Sequence, residues 1–270
     1  MKRKTLELTP SSGEMLKPSE LIELQGTGRL TLEDRRLFNT LIENAWGKHL
    51  GEPGAWFELS TSELKLQTES NARLRASIKR LMTTIVVVTL PNGGERLLQL
   101  LSTSELETTA NRGLLRYCFP PKLAELLSDS TIFAKLDLEV MKSFSSKYGF
   151  SLYEAVSRRL RLKHMFVESL SIEELRTLLG VEDGKLTSYG NLNKFAIEPA
   201  LEEVNGLAPF NVYLATKKQR QKVVGFAMSW EMKSEAQMKE AYAELHRSRV
   251  GRKARLSGTS DVISDDTTTS

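Results

Sequence analysis

Two periods of apolar and polar residues succeed one another along this chain, and the switches between them outline its elements. From Thr31, "TLEDRRLFNTLIENAWGKHL" sets Leu37, Leu41, Ile42, Ala45 and Trp46 on one helical stripe, with Thr31 and Asp34 at the spacing of an N-terminal cap. Gly51, Pro53 and Gly54 break that pattern, "WFEL" reads as a short extended piece, and Ser60 with Glu63 forms a Ser-x-x-Glu box opening a helix that ends near Thr68. Ser70 caps a third helix, "NARLRASIKRLM", which turns Leu74, Ile78, Leu81 and Met82 to one face and Ala72, Arg73, Ala76, Lys79 and Arg80 to the other. The period then shortens: "TIVVVTL" and "ERLLQLL" flank "PNGG" and predict a hairpin.

Helix, helix, turn, helix, hairpin is the order of a winged helix-turn-helix, and it recurs. A strand-like "GLLRYCF" and a short helix from Pro120 lead into "SSKYGFSLYEAVSRRLRLKH", where Phe150, Tyr153, Ala155 and Val156 predict a buried helix. Ser171 and Glu174 repeat the capping box before "ELRTLLG", Gly180 ends that helix, and "SYGNLNKFAIEPALEEVN" supplies a long helix bent at Pro199. "FNVYLAT" and "VVGFAMSW" then flank "KKQRQK", a second hairpin with a cationic tip of Lys217, Lys218, Arg220 and Lys222.

The expectation is a mainly helical α+β protein of two tandem winged helix-turn-helix domains with pseudo-symmetry. Residues 1–30, which hold no sustained period, read as a flexible arm. Domain 1 covers 31–109, with a DNA contact and a dimer contact, and domain 2 covers 110–230 as the principal DNA-binding domain. Residues 231–270 read as a charged and disordered tail. At ~150 residues per domain, a chain of 270 residues accommodates two.

Composition narrows the function. With 40% hydrophobic and 27% charged residues, and no apolar run near the ~20 that span a bilayer, the chain reads as soluble and without a membrane partner. Its basic start lacks the apolar core of a secretory signal, so a cytoplasmic location is expected. The net charge of +4 is modest, but the clustering of the cations makes an anionic partner plausible. Cys118 is the one cysteine, which excludes an internal disulfide and a Cys-based zinc site, and its place between Tyr117 and Phe119 suits core packing. His49, His164 and His246 are far apart, with no paired histidines for a metal-dependent nickase, no Walker loop and no HExxH, so neither catalysis nor a cofactor is expected. Gly93-Gly94 lacks the Lys-Ser/Thr of a phosphate loop and reads as a turn.

Direct readout of duplex DNA needs a slim helix with donors aimed at base edges and cations along the phosphates. Asn71, Arg73, Arg75, Ala76, Lys79 and Arg80 meet that need on the third helix, where Ala72 and Ala76 allow close approach. On the later helix Asn191 and Lys194 share the face opposite Leu192, Ala196 and Ala200; Asn193 projects toward the apolar side and reads as a cap. Glu198 and Glu202 would repel phosphate, which leaves only the N-terminal half to approach DNA. Lys217, Lys218, Arg220 and Lys222 suit a phosphate backbone. Arg158, Arg159, Arg161 and Lys163 lie on a helix that carries the aromatic core, so that helix is mainly scaffold. The plain alternative for each cluster is a solvated basic face.

The recurrence, together with "SKYGFSLYE", "SIEELRTLLG" and "AIEPALEEVN", resembles the iteron-binding plasmid replication initiators, Rep proteins with two winged-helix domains, from about Thr31 to Trp230. The resemblance implies double-stranded origin repeats as the ligand, opening of an adjacent AT-rich segment, and recruitment of a host initiator and replicative helicase. It also implies a monomer that initiates and a dimer that represses its own promoter through an inverted repeat. Such initiators usually carry several Arg or Lys at the start of the second recognition helix; "NLNKFA" offers Lys194 beside Asn191 and Asn193. A winged-helix transcriptional repressor and a strand-transfer enzyme are the alternatives.

Overall fold

The computed structural model describes residues 4, 7–65, 70–90, 93–108, 113–161 and 166–258. The segment expected to be a flexible arm is instead built into the core from Glu14 onward. Strand β1 (Glu14–Pro18) pairs antiparallel with β7 (Phe133–Asp137), and Met15, Leu16, Leu21, Ile22, Leu24 and Leu30 are buried. No helical or strand period runs through this stretch because it changes direction repeatedly at Pro18, Gly26 and Gly28. Gly26 takes a left-handed φ of 84°, where a Cβ would stand 2.4 Å from the Ile85 carbonyl oxygen, so only glycine fits.

Helix α1 (Leu32–Ala45) opens on a capping box: Thr31 accepts from the Asp34 amide at 3.2 Å, and the Asp34 carboxylate accepts from the Thr31 amide at 2.8 Å. β2 (Trp56–Ser60), α2 (Thr61–Lys65) and α3 (Asn71–Thr83) follow, then the hairpin of β3 (Ile85–Thr89) and β4 (Glu95–Gln99). The expected run of α2 to Thr68 and the Pro91-Asn92 turn lie outside the described residues. Leu74, Ile78 and Leu81 of α3 and Leu37, Leu41 and Ile42 of α1 are buried together, so α1 and α3 close the first unit around their apolar stripes.

The boundary expected between Thr109 and Ala110 does not divide two domains. It falls between β5 (Thr103–Thr108) and β6 (Gly113–Cys118), which pair with each other, while β6 also pairs with β2 in a sheet of order β2-β6-β5. The strand-like "GLLRYCF" therefore belongs to the first unit. Tyr117, Phe57 and Phe119 meet there with ring centroids 5.5–5.9 Å apart, and the Tyr117 hydroxyl donates to the Leu41 carbonyl at 2.6 Å.

After α4 (Pro121–Asp129), β7 and α5 (Leu138–Ser143) comes α6 (Lys147–Arg159), buried along most of its length and packed against β7, α1 and the second unit. Phe144, Phe150, Tyr153 and Phe210 stack around it, Tyr153 lying 5.7 Å from Phe210 with the rings nearly parallel. The second unit consists of β8 (Val167–Ser171), α7 (Ile172–Leu179), α8 (Tyr189–Leu192), a π turn (Asn193–Ile197), α9 (Glu198–Leu207), β9 (Phe210–Gln219) and β10 (Lys222–Met232). Its sheet has the order β8-β10-β9. Ser171 and Glu174 form the expected capping box, and Gly180 ends α7 at φ 67°.

The tail also departs from expectation. Met232 still belongs to β10, and α10 (Glu235–His246) and α11 (Arg252–Leu256) pack on α9 and α5. One cluster of its charges is internally satisfied: Glu244 takes Arg252 at 3.2 Å and Arg255 at 2.6 Å, and Arg252 also donates to the Ser143 carbonyl at 2.9 Å. Composition reads such a segment as disordered because its charges are counted without their partners. Residues 259–270 lie outside the described residues.

Candidate nucleic-acid interface

The first candidate surface is the outer face of α3. Ser70 caps it, accepting from the Arg73 amide at 3.3 Å, and leaves Ala72, Arg73, Arg75 and Lys79 exposed with Ala76 half-buried beside them. Arg73 lies 3.7 Å from Glu33 of α1. Two residues expected on this face have other positions. Arg80 grips Asp34 through two hydrogen bonds of 2.7 and 2.8 Å, fastening α3 to α1. Burial would raise the Asp34 carboxyl, but hydrogen bonds from Arg80, Ser77 and Thr31 hold it below its ordinary range. Asn71 is half-buried and turns its Oδ1 inward, where it accepts no hydrogen bond.

The second surface is the start of the long helix of unit 2. Ser188 caps α8, accepting from the Asn191 amide at 3.2 Å. Gly190, Asn191, Lys194 and Phe195 are exposed, whereas Leu192, Ala196, Ile197, Ala200 and Val204 are buried. Asn193 is half-buried, and its amide donates to Glu198 at 2.5 Å, one turn on. The helix opens into a π turn at this point, with the Glu198 amide donating to the Asn193 carbonyl. Pro199 has no N–H to return to Phe195, so regular α bonding fails there and the chain accommodates one more residue. Sequence periodicity points to a bend at Pro199 but not to this widened turn. It also misses Phe195, which a strictly helical reading leaves at the edge of the apolar stripe.

The third surface is the wing of unit 2. Its tip is narrower than expected, because Gln219 faces Lys222 across a two-residue turn in which Arg220 is left-handed, φ 57°. Lys218, Arg220 and Lys222 are exposed at this end. Lys217 sits further down β9 and donates to Ser169 of β8 at 2.5 Å, so it braces the sheet rather than extending the tip.

Two arginines at the end of α6 brace the fold: Arg159 is buried and binds Glu23 and Glu168, and Arg158 reaches Glu23 at 3.1 Å. Arg161, exposed just past the helix, lies over the Phe133 ring. Lys163 lies outside the described residues. Cys118 is buried, and burial pushes its thiol up. Among the described residues no helix is long and apolar enough to cross a membrane.

Two winged-helix units, each exposing a capped and cation-bearing helix, agree with the families whose models match this sequence. The model described as "Initiator Replication protein, WH1" covers residues 14–157, and "Initiator Rep protein, WH2" covers residues 171–230. The chain belongs to the initiator Rep protein family. As a member it is a DNA-binding replication initiator of the winged-helix fold. The first model starts at Glu14 and runs past β5, β6 and β7, as the pairing of β1 with β7 and of β5 with β6 requires of unit 1, and takes in most of α6.

Among solved structures, this Rep chain is similar to the crystal structure of Pi initiator protein in complex with iteron DNA. The TM-score is 0.59 at 15% identity, over 84% of this chain and 100% of that one. At that identity the likeness concerns the fold. A second match, to domains 2 and 3 of RctB, has a TM-score of 0.46 at 14% identity, over 81% of this chain and 86% of that one, and carries no argument. No curated protein matches the sequence.

Proposed function

We propose that this Rep protein initiates plasmid replication by binding direct repeats in the duplex of its origin, without covalent catalysis. The observation that carries the reading is the pairing of two exposed helix faces, Arg73, Arg75 and Lys79 on α3 and Asn191 and Lys194 on α8 and the π turn, in one chain of the initiator family. The fold shared with an initiator bound to iteron DNA supports repeats as the ligand.

Two such helices would enter successive major grooves about one helical turn, ~10.5 bp, apart. Arg73 and Lys194 supply donors for base edges, Asn191 suits adenine, and Lys218, Arg220 and Lys222 lie along phosphates. Glu198 and Glu202 keep the rest of α9 away from the backbone. Binding energy that bends the repeats would promote opening of an adjacent AT-rich segment. Recruitment of a host initiator and replicative helicase, and repression of its own promoter by a dimer on an inverted repeat, complete the proposed cycle.

The test is selection of bound fragments from the native plasmid at physiological salt, followed by footprinting of the fragments recovered. Protection of tandem direct repeats beside an AT-rich stretch is expected. A lone inverted repeat at a promoter would make this chain a repressor instead, and recovery of no specific fragment would sink the reading.

A further inference from the structure

We infer that Phe195 is a base-reading residue, placing its ring against the C5-methyl of a thymine in the major groove beside Lys194. The inference rests on the proposed entry of this helix into duplex DNA. Phe195 is 52% exposed on a helix whose other apolar residues here, Leu192, Ala196, Ile197 and Ala200, are all buried. Burying a phenylalanine is worth about 1.5–3 kcal/mol, so a ring left in water represents stability forgone. The π turn is what keeps it there: the extra residue lets Ala196 and Ile197 both face the core while Phe195 stays outside. Such turns are frequent at functional sites.

The surroundings choose the occupant. Lys194 lies over the ring, its ammonium 5.4 Å from the centroid, and Asn191 and Ser188 are exposed toward the N-terminus. Gly190 is open, with nothing within 4 Å of where a Cβ would stand, so a bulky ligand can approach the backbone closely. Beyond Phe195, Glu198 is tied to Asn193 and sets a negative limit to the surface. A protein partner would want a continuous apolar patch of a few hundred Å². Here a single ring stands among a cation, an amide and hydroxyls, which matches a groove that offers acceptors, phosphates and one kind of apolar group. That group is the thymine methyl.

The experiment uses the full chain and a duplex selected by it from a random library at physiological salt. Each thymine of the duplex is replaced in turn by deoxyuridine, which removes the methyl and leaves the pairing edge intact. At one position per bound site the wild-type protein should lose about 3- to 10-fold in affinity. Phe195→Ala should show a comparable loss on the thymine duplex and no further loss on the uracil one. Its thermal midpoint and its binding to unrelated DNA should match wild type, as the exposure of the ring requires. Indifference of the wild type to uracil at every position would overturn the inference, whether or not the variant folds. So would a uracil penalty that persists in Phe195→Ala, or a variant that loses affinity for DNA of any sequence. Failure of the wild type to select any duplex is a different result and would overturn the duplex reading itself.

Discussion

The two winged-helix units follow one order of elements yet attach their wings differently. In unit 2, β8 pairs directly with the wing strand β10, and the wing strands are 10 and 11 residues long. In unit 1, β2 is taken by β6, so the wing is a separate hairpin of five-residue strands. That hairpin is held instead by a bridge from Gln25 to Val87 and by Gln99 donating to the Met82 carbonyl at 2.8 Å. The cations follow the same division. Unit 1 exposes Arg73, Arg75 and Lys79 on its helix, whereas unit 2 exposes Lys194 on its helix and Lys218, Arg220 and Lys222 on its wing. A long wing suits phosphate contact, and a short wing beside a cation-bearing helix suits contact through the helix. Pseudo-symmetry of order thus does not extend to symmetry of load.

The largest effect should come from the joint between the units. Arg159 is buried and bound by Glu23 of the N-terminal segment and Glu168 of β8. Arg159→Ala leaves the two carboxylates without their shared cation, and a loss of about 3–5 kcal/mol in urea unfolding is expected. If the units were independent, only one of two transitions would shift; a single cooperative transition moving as a whole is the expected result.

The seam can be opened with less chemistry. At Gly28 a Cβ would stand 2.5 Å from the Glu182 Cα, and the Gly28 carbonyl accepts from Lys147 at 2.6 Å. Gly28→Ala should therefore cost about 1–3 kcal/mol of stability through overpacking against backbone.

On DNA the two units should separate by kind of effect. Arg73→Ala and Lys194→Ala should each weaken specific binding by about 1–3 kcal/mol and relax preference at one base pair, measured by titration against single-site variants of the duplex. Lys218→Ala, Arg220→Ala and Lys222→Ala should weaken binding almost uniformly across sequences, each lowering the salt slope by about 1. The reverse assignment, with the wing carrying sequence preference, would contradict the division drawn here.

The smallest expected effect lies where β10 leaves unit 2. Lys233 donates to the Asn205 carbonyl at 2.6 Å, and burial pulls its ammonium down to about 8. Between about pH 8 and its ordinary 10.5, the unfolded chain holds a proton that the folded chain does not. Stability should therefore rise with pH across that window, by about 1 kcal/mol or less given solvent screening. Lys233→Met should flatten that part of the pH profile; an unchanged slope would exclude Lys233 as its source.

What the sequence makes legible here is local. Thr31 with Asp34, Ser171 with Glu174, and Gly180 announce helix ends through contacts three or four residues away, and the structure has all of them. What it hides is distant. β1 looks like an arm because its partner is β7, far along the chain, and "GLLRYCF" looks like a new beginning because its partner β2 lies behind it. Arg80 shows the same limit on the candidate surface: its spacing puts it on the basic face, and only the fold reveals Asp34 beneath it.

The pairing of β1 with β7 also fixes an order of events during synthesis. Strand β1 leaves the ribosome more than a hundred residues before its partner, which at ~5–20 residues per second means an interval on the order of ten seconds. Over that interval Met15 and Leu16 have no strand to cover them, and unit 1 closes only once β7 has emerged. A nascent chain arrested before Phe133 should leave this segment open to protease, and one arrested well past Arg159 should protect it.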